Sequence, residues 1–154
     1  MRKRSLFIVI FIAIALGLVW FYDKQNNTTL NVPLNVSEAG VVTKMEFKVK
    51  NAAPYALRVE ISNVKDENRK ELFSLPLSFT LSLKEKSKNL VFVDEEFIIN
   101  GISGENKDKS VFREIGNYLF EEGDYEIIFT PKTSETRLQA YKPSLSLKIM
   151  DKKE

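Results

Sequence analysis

The sequence predicts a mainly β protein: an immunoglobulin-like antiparallel β-sandwich of about seven strands, preceded by one N-terminal transmembrane helix. Three observations carry this. Apolar residues recur at every second position in successive segments, the period of a half-buried strand. Polar or turn-forming stretches separate those segments at sandwich-like spacing. Residues 5–22 contain no charged side chain, and Arg2, Lys3 and Arg4 stand directly before them.

At about 1.5 Å per helical residue, the uncharged run spans roughly 27 Å, enough to cross a bilayer core. Leu6, Phe7, Ile8, Phe11, Ile14 and Leu18 supply its apolar surface, and Trp20, Phe21 and Tyr22 fall where amphipathic rings favour the outer interface. The basic cluster stays on the cytoplasmic side, so the chain after Tyr22 lies across the membrane. Cleavage of a signal peptide is the competing reading, because Ala13-Ile14-Ala15 has the small-x-small pattern of a cleavage site. It would leave residues 16–22 as a greasy new N-terminus, whereas a retained anchor buries them. The chain thus divides into a basic cap and anchor (1–22), a polar tether "DKQNNTT" (23–29) and a single domain (30–154).

Within the domain, Leu30, Val32, Leu34 and Val36 alternate with polar or small residues, and so do Val41, Thr43, Met45, Phe47 and Val49. Asn51-Ala52-Ala53-Pro54 breaks the pattern before Tyr55, Leu57, Val59 and Ile61 resume it. Residues 63–72 form a charged excursion, loop or short helix. Leu77, Phe79, Leu81 and Leu83 predict the next strand, and a lysine-rich turn at residues 84–89 leads to "LVFVDEEFIIN". There Val91 and Val93 keep one parity with Phe97 and Ile99, so a strand with a bulge or break near Asp94-Glu95-Glu96 is expected. Residues 101–110 are a long polar loop. Val111, Ile115 and Leu119 lie four apart, a helical spacing. Gly123 permits a tight turn, after which Tyr125, Ile127 and Phe129 line one face of a strand. Residues 144–150 close the domain, with Leu145, Leu147 and Ile149 inward. Tyr125, at the start of a late strand, is placed to bond back to the preceding corner as a tyrosine corner does.

Charge and composition narrow the chemistry. All 21 acidic residues follow Tyr22 while three of the 23 basic ones precede it, so the domain is near neutral and carries no basic track for nucleic acid. The lysines at positions 48 and 50, and at 84, 86 and 88, alternate along strands and read as the solvated face of a sheet. Histidine and cysteine are absent. That removes imidazole bases, thiol nucleophiles, disulfides and the commonest transition-metal ligands. "GISGENK" lacks the helix-leading signature of a phosphate loop. Asp94-Glu95-Glu96, and Glu121-Glu122 with Asp124, are carboxylate clusters that strand-end solvation explains. The expectation is a protein with no cofactor, no metal and no turnover of its own.

"SVFREIGNYLFEEGDYEIIFTPK" (110–132), with "LPLSFTLSL" (75–83) and the terminal "LSLKIM", resembles a family of small envelope proteins of Gram-negative bacteria known chiefly as a domain of unknown function. Phe112-Arg113-Glu114-Ile115-Gly116 fits an aromatic-Arg-x-Ile-Gly element, and Glu122-Gly123-Asp124-Tyr125 fits the turn that follows, with Leu119 displaced by one position. The resemblance implies a signal sequence or anchor and a β-sandwich, and implies no reaction or ligand.

The function expected is that of a bacterial inner-membrane protein with a cytoplasmic N-terminus and a periplasmic domain that binds a protein partner. An immunity factor neutralising an envelope-targeting toxin is the specific form. The alternative is a structural or assembly subunit of an inner-membrane complex, whose anchor would pack through Ala13 and Gly17. Partner contacts are expected at Asn106, Lys107 and Lys109 in the polar loop. Arg113, flanked by Phe112 and Ile115, either reaches a partner carboxylate or clamps Glu114, Glu121 or a loop carbonyl.

Overall fold

A computed structural model describes residues 30–102, 104–105 and 110–150. The anchor residues Leu6 to Tyr22, the tether, and Asn106, Lys107 and Lys109 lie outside them. No helix among the described residues is long and apolar enough to cross a membrane.

Alternation in the sequence becomes two antiparallel sheets packed face to face. The strands are β1 (Leu30–Pro33), β2 (Thr43–Val49), β3 (Ala53–Ile61), β4 (Pro76–Glu85), β5 (Leu90–Asn100), β6 (Gly104–Glu105), β7 (Val111–Phe120), β8 (Gly123–Pro131) and β9 (Ser144–Ile149). Sheet A runs β1-β9-β3-β7-β6 and sheet B runs β2-β8-β4-β5. In β2 the alternation is complete: Thr43, Met45, Phe47 and Val49 are buried, and Lys44, Glu46 and Lys48 are exposed. Tyr55, Leu57, Val59 and Ile61 from sheet A meet Leu77, Phe79, Leu81, Leu83, Ile127 and Phe129 from sheet B in one core. The charged excursion holds a 3-10 turn (Asp66–Asn68) and a short helix α1 (Arg69–Leu72), and a second short helix α2 (Thr136–Ala140) precedes β9. Each of these helices tucks one leucine, Leu72 or Leu138, under the sandwich.

Among the described residues nine strands stand where about seven were expected, and β6 and β7 are the additions. The helix suggested by Val111, Ile115 and Leu119 does not form. β7 is pinned along its length to β3, with Ile61 opposite Val111, Val59 opposite Arg113 and Leu57 opposite Gly116. The register slips at Leu57/Arg58, so Ile115 is an extra residue on β7. A bulge shifts the inward parity by one: Val111 points in before it, and Gly116, Tyr118 and Phe120 after it. Val111, Ile115 and Leu119 therefore do not share one face of the strand. Leu119 consequently faces solvent, 69% exposed.

The irregularity expected at Asp94-Glu95-Glu96 is also relocated. β5 runs unbroken through those residues, and the register shift falls at Leu83/Lys84, opposite Val93 and Val91. Phe92 is the extra residue. Val91 therefore turns outward opposite Lys84, while Val93, Glu95, Phe97 and Ile99 share the inner face opposite Leu83, Leu81, Phe79 and Leu77.

Tyr125 is 1% exposed and its hydroxyl donates to the Glu121 carbonyl at 3.1 Å, closing the β7–β8 corner. Its ring sits among Phe47, Phe120 and Phe92, with centroids 4.7 to 6.0 Å apart. Gly123 is not in a left-handed backbone, and a Cβ there would lie 3.0 Å from the buried Glu85 Oε1, a tight contact to which the carboxylate would have to give way.

The outer face of sheet B carries an ion ladder across β2, β8 and β4. Glu126 is 4% exposed because Lys44 and Lys84 close over it, the latter with Nζ at 2.7 Å. Hydrogen bonds from Lys44, then from Lys84, hold its carboxyl down to about 2 from the ordinary 4.5. Lys44, followed by Lys86, lowers Glu46 in the same direction. A carboxyl with a depressed folded pKa stabilises fully above its unfolded value, and that stabilisation is lost as pH falls through the folded one. The loss should therefore fall between pH 4.5 and about 2. Glu126→Gln should flatten the acid limb of a stability-against-pH curve from urea denaturation across that window. An acid limb identical to the parent's would show that the ladder contributes nothing.

Candidate functional site

A sandwich of two open sheets has exposed strand edges, and unpaired N–H and C=O groups along an edge invite another chain. One flank of this molecule is guarded. There β1 lies against β2. β1 has four residues and ends at Pro33, which has no N–H to offer. β2 lines its outward positions with Lys44, Glu46 and Lys48, a charged edge of the kind that resists pairing.

The opposite flank is open. β5, eleven residues long, pairs only with β4 among the described residues. On β7, β6 covers only Val111 and Phe112, leaving the edge from Arg113 to Phe120 without a neighbour among the described residues. These two edges face each other across the sandwich: the Phe92 and Phe120 rings approach to 6.4 Å. Burial, with a smaller contribution from the Glu95 carboxylate, pushes the Tyr118 phenol up. Apolar side chains are exposed here to an unusual degree: Leu90, Val91, Phe92 and Ile98 on β5, and Leu119 on β7. Exposed apolar groups clustered on a strand edge mark an interaction surface more often than scattered ones do.

The charges on this flank are largely unspent. Glu95 projects on the inner-face parity and Asp94 and Glu96 on the outer one, opposite Leu81, Ser82 and Thr80 of β4. Glu96 accepts a long hydrogen bond from Ser78 at 3.4 Å and lies 3.5 Å from Lys132. Asp94 and Glu95 make no ion pair among the described residues. Arg113, opposite Val59 on β7, is exposed and is likewise without an ion pair among them. Of the internal clamps considered for Arg113, the two carboxylates have other partners. Glu114 accepts from Arg58 at 3.3 Å and from Asn117 at 2.7 Å, and Glu121 lies 3.6 Å from Lys88. Arg58 also stacks 4.2 Å over the Phe112 ring, so of two neighbouring arginines one is consumed in structure and the other has no ion pair among the described residues.

The expected loop contacts Asn106, Lys107 and Lys109 lie outside the described residues, although the base of their loop is moored by Glu105 to Arg69 at 2.6 Å. Sequence reasoning missed the β5 edge. Its signal was present in Leu90-Val91-Phe92-Val93, four apolar residues in succession where a half-buried strand would alternate.

Two recesses lie elsewhere. One of about 470 Å³ sits at the β4–β5 turn among Glu46, Lys86, Ser87 and Asp124, with Glu46 and Lys86 already paired at 3.0 Å. The other, about 660 Å³, lies among Asn31, Ser62, Asn63, Gln139 and Tyr141. Among the described residues no three acidic side chains converge as a metal site would require.

No family model matches the chain, and no curated protein matches it. Solved structures do. A protein from Sulfurospirillum deleyianum superposes with a TM-score of 0.62 over 81% of this chain and 99% of its own, at 10% identity. A family 35 carbohydrate-binding module from Clostridium thermocellum gives 0.41 over 82% and 93%, at 12% identity. Another, from an environmental isolate, gives 0.43 over 78% and 73%, at 8% identity. At 10% identity the superposition on the Sulfurospirillum protein shows a shared fold and nothing beyond the fold.

Proposed function

We propose that this chain is a membrane-anchored periplasmic module that captures a protein partner and catalyses nothing itself, its specific form being an immunity factor against an envelope-targeting toxin. The observation that carries the reading is the open flank of β5 and β7. It combines exposed apolar residues, an arginine without an ion pair and strand edges without a neighbour, both among the described residues, while the other flank is guarded. The resemblance to small Gram-negative envelope proteins and the basic-then-apolar N-terminus support the location.

Affinity-tagged full-length chain, extracted from membranes in mild detergent, should retain a specific protein identifiable by mass spectrometry. Arg113→Ala should weaken that retention while leaving the melting temperature unchanged, because exposed substitutions usually cost under about 0.5 kcal/mol. Protease added to spheroplasts should digest the domain, and the intact mass should include the N-terminal anchor. A domain digested only after lysis, or a mature chain starting at Leu16 or later, would remove the anchored periplasmic part of the proposal. Recovery of several stoichiometric membrane subunits, held equally well by an Arg113→Ala variant, would favour the assembly-subunit alternative.

A further inference from the structure

We infer that the open edge of β5 receives an extended segment of a protein partner as a fifth strand of sheet B, and that this segment has lysine or arginine at its centre with apolar residues on either side. The inference rests on the protein-capture reading and deepens it by naming the recognition chemistry.

The backbone argument comes first. A strand with a free edge can donate and accept a full ladder of hydrogen bonds to an incoming extended chain, and the side chains beside the ladder then select what binds. β5 is the longest strand of the fold. Its partner β4 leaves the other side unoccupied among the described residues.

The side chains of β5 then specify the occupant. On the outer face, Asp94 and Glu96 are bracketed by Val91 and Ile98, and on the inner face Glu95 is bracketed by Val93 and Phe97. Both faces therefore read apolar, acidic, apolar. β4 sets no cation opposite the centre, since Ser82, Leu81 and Thr80 face Asp94, Glu95 and Glu96, and only Glu96 has a cation near it, Lys132 at 3.5 Å. The nearest lysine on β4, Lys84, is committed to Glu126 at 2.7 Å. Opposite charges directly across a strand pair stabilise it and like charges oppose it.

The same pattern argues against a second copy of the chain. Glu95 is the midpoint of Leu90–Asn100, so two β5 edges meeting about a two-fold axis would set Glu95 against Glu95, and each Asp94 against Glu96. Sliding the register until no carboxylates oppose gives up three of the eleven positions. An inward-pointing charge on an edge strand is a known device against self-pairing. It leaves the edge open to a chain of opposite charge.

The test uses the full-length protein in detergent and three fluorescent eleven-residue peptides. All three have alternating valine and threonine arms. One has three central lysines, one has three central glutamates, and the third is the lysine peptide with alternate backbone nitrogens methylated. The lysine peptide should bind at least about tenfold more tightly than the glutamate peptide. Methylation, which keeps the charge and removes the ladder donors, should abolish binding. The charge-swapped variant Asp94→Lys/Glu96→Lys, folded by its circular-dichroism melt, should reverse the preference between the lysine and glutamate peptides. Equal binding of the first two peptides, binding that survives methylation, or an unchanged preference in the swapped variant would each overturn the β5 assignment. The two readings fail separately. A native partner retained undiminished by the swapped variant sinks the β5 site and leaves protein capture standing. Absence of any retained partner, with peptide selectivity as described, sinks capture as the function and leaves the edge chemistry standing.

Discussion

Replacing Phe129 with alanine should leave the domain marginal or unfolded. The residue lies on β8, an interior strand of sheet B flanked by β2 and β4, and its register partners are Thr43 and Leu81. It is fully buried and its ring stacks on Phe79 with centroids 4.4 Å apart. Phe79 in turn stacks on Phe97 of β5 at 5.5 Å, so one aromatic file ties the interior of sheet B to its open edge. Removing a buried phenylalanine costs about 3 to 5 kcal/mol, because transfer energy is lost and the cavity cannot collapse between strands held in register. Whole domains are stable by only about 5 to 15 kcal/mol. A fall in melting temperature on the order of 10 °C or more is expected for the isolated domain of residues 30–154, read by circular dichroism. A melt within a degree or two of the parent would contradict the packing described.

Gly101→Ala should be damaging for a different reason. Gly101 has φ of +80°, and a Cβ built on it would sit 2.0 Å from the carbonyl oxygen of Phe73. The obstruction is backbone, so no rotamer change relieves it. The segment is held there by two hydrogen bonds, Gly101 N–H to Leu75 at 3.0 Å and Ile102 N–H to Leu72 at 2.9 Å. Left-handed backbone alone costs an alanine roughly 1 to 2 kcal/mol, and the overlap must additionally push the loop from α1. A loss of at least about 2 kcal/mol is expected in urea denaturation, with faster hydrogen exchange at the Gly101 and Ile102 amides. Parental exchange rates at both amides in the variant would show that the contact is not as close as described.

The alternating runs on β2, β3, β4, β8 and β9 were legible in the sequence because each such strand turns one apolar face to the core and a more polar face outward, and period two records that difference. Tyr125 and its corner were legible for a related reason: a tyrosine at the start of a strand can meet the preceding turn within a few residues, so the contact is local. That Arg113 has no ion pair among the described residues was only half legible. Its neighbours could be named, but which cation would capture Glu114 depended on Arg58, a residue 56 positions away that β3–β7 pairing brings opposite.

β7 and the open flank could be decided only by tertiary structure. Val111, Ile115 and Leu119 satisfy a helical period, and no local preference forbids it. What overrides it is the ladder to β3 with one bulged residue, a gain available only when β3 is already in place. Likewise the acidic centre of β5 reads in sequence as strand-end solvation. It becomes a selective edge because sheet order leaves β5 without a second neighbour among the described residues, and order is set by which hairpins and crossovers the whole chain can close. Composition and period determined that this chain makes a sandwich with a near-neutral surface and no imidazole or thiol chemistry. Which strands end up at the rim, and hence where a partner chain can add, depends on pairings between residues far apart in sequence, which a local pattern does not encode.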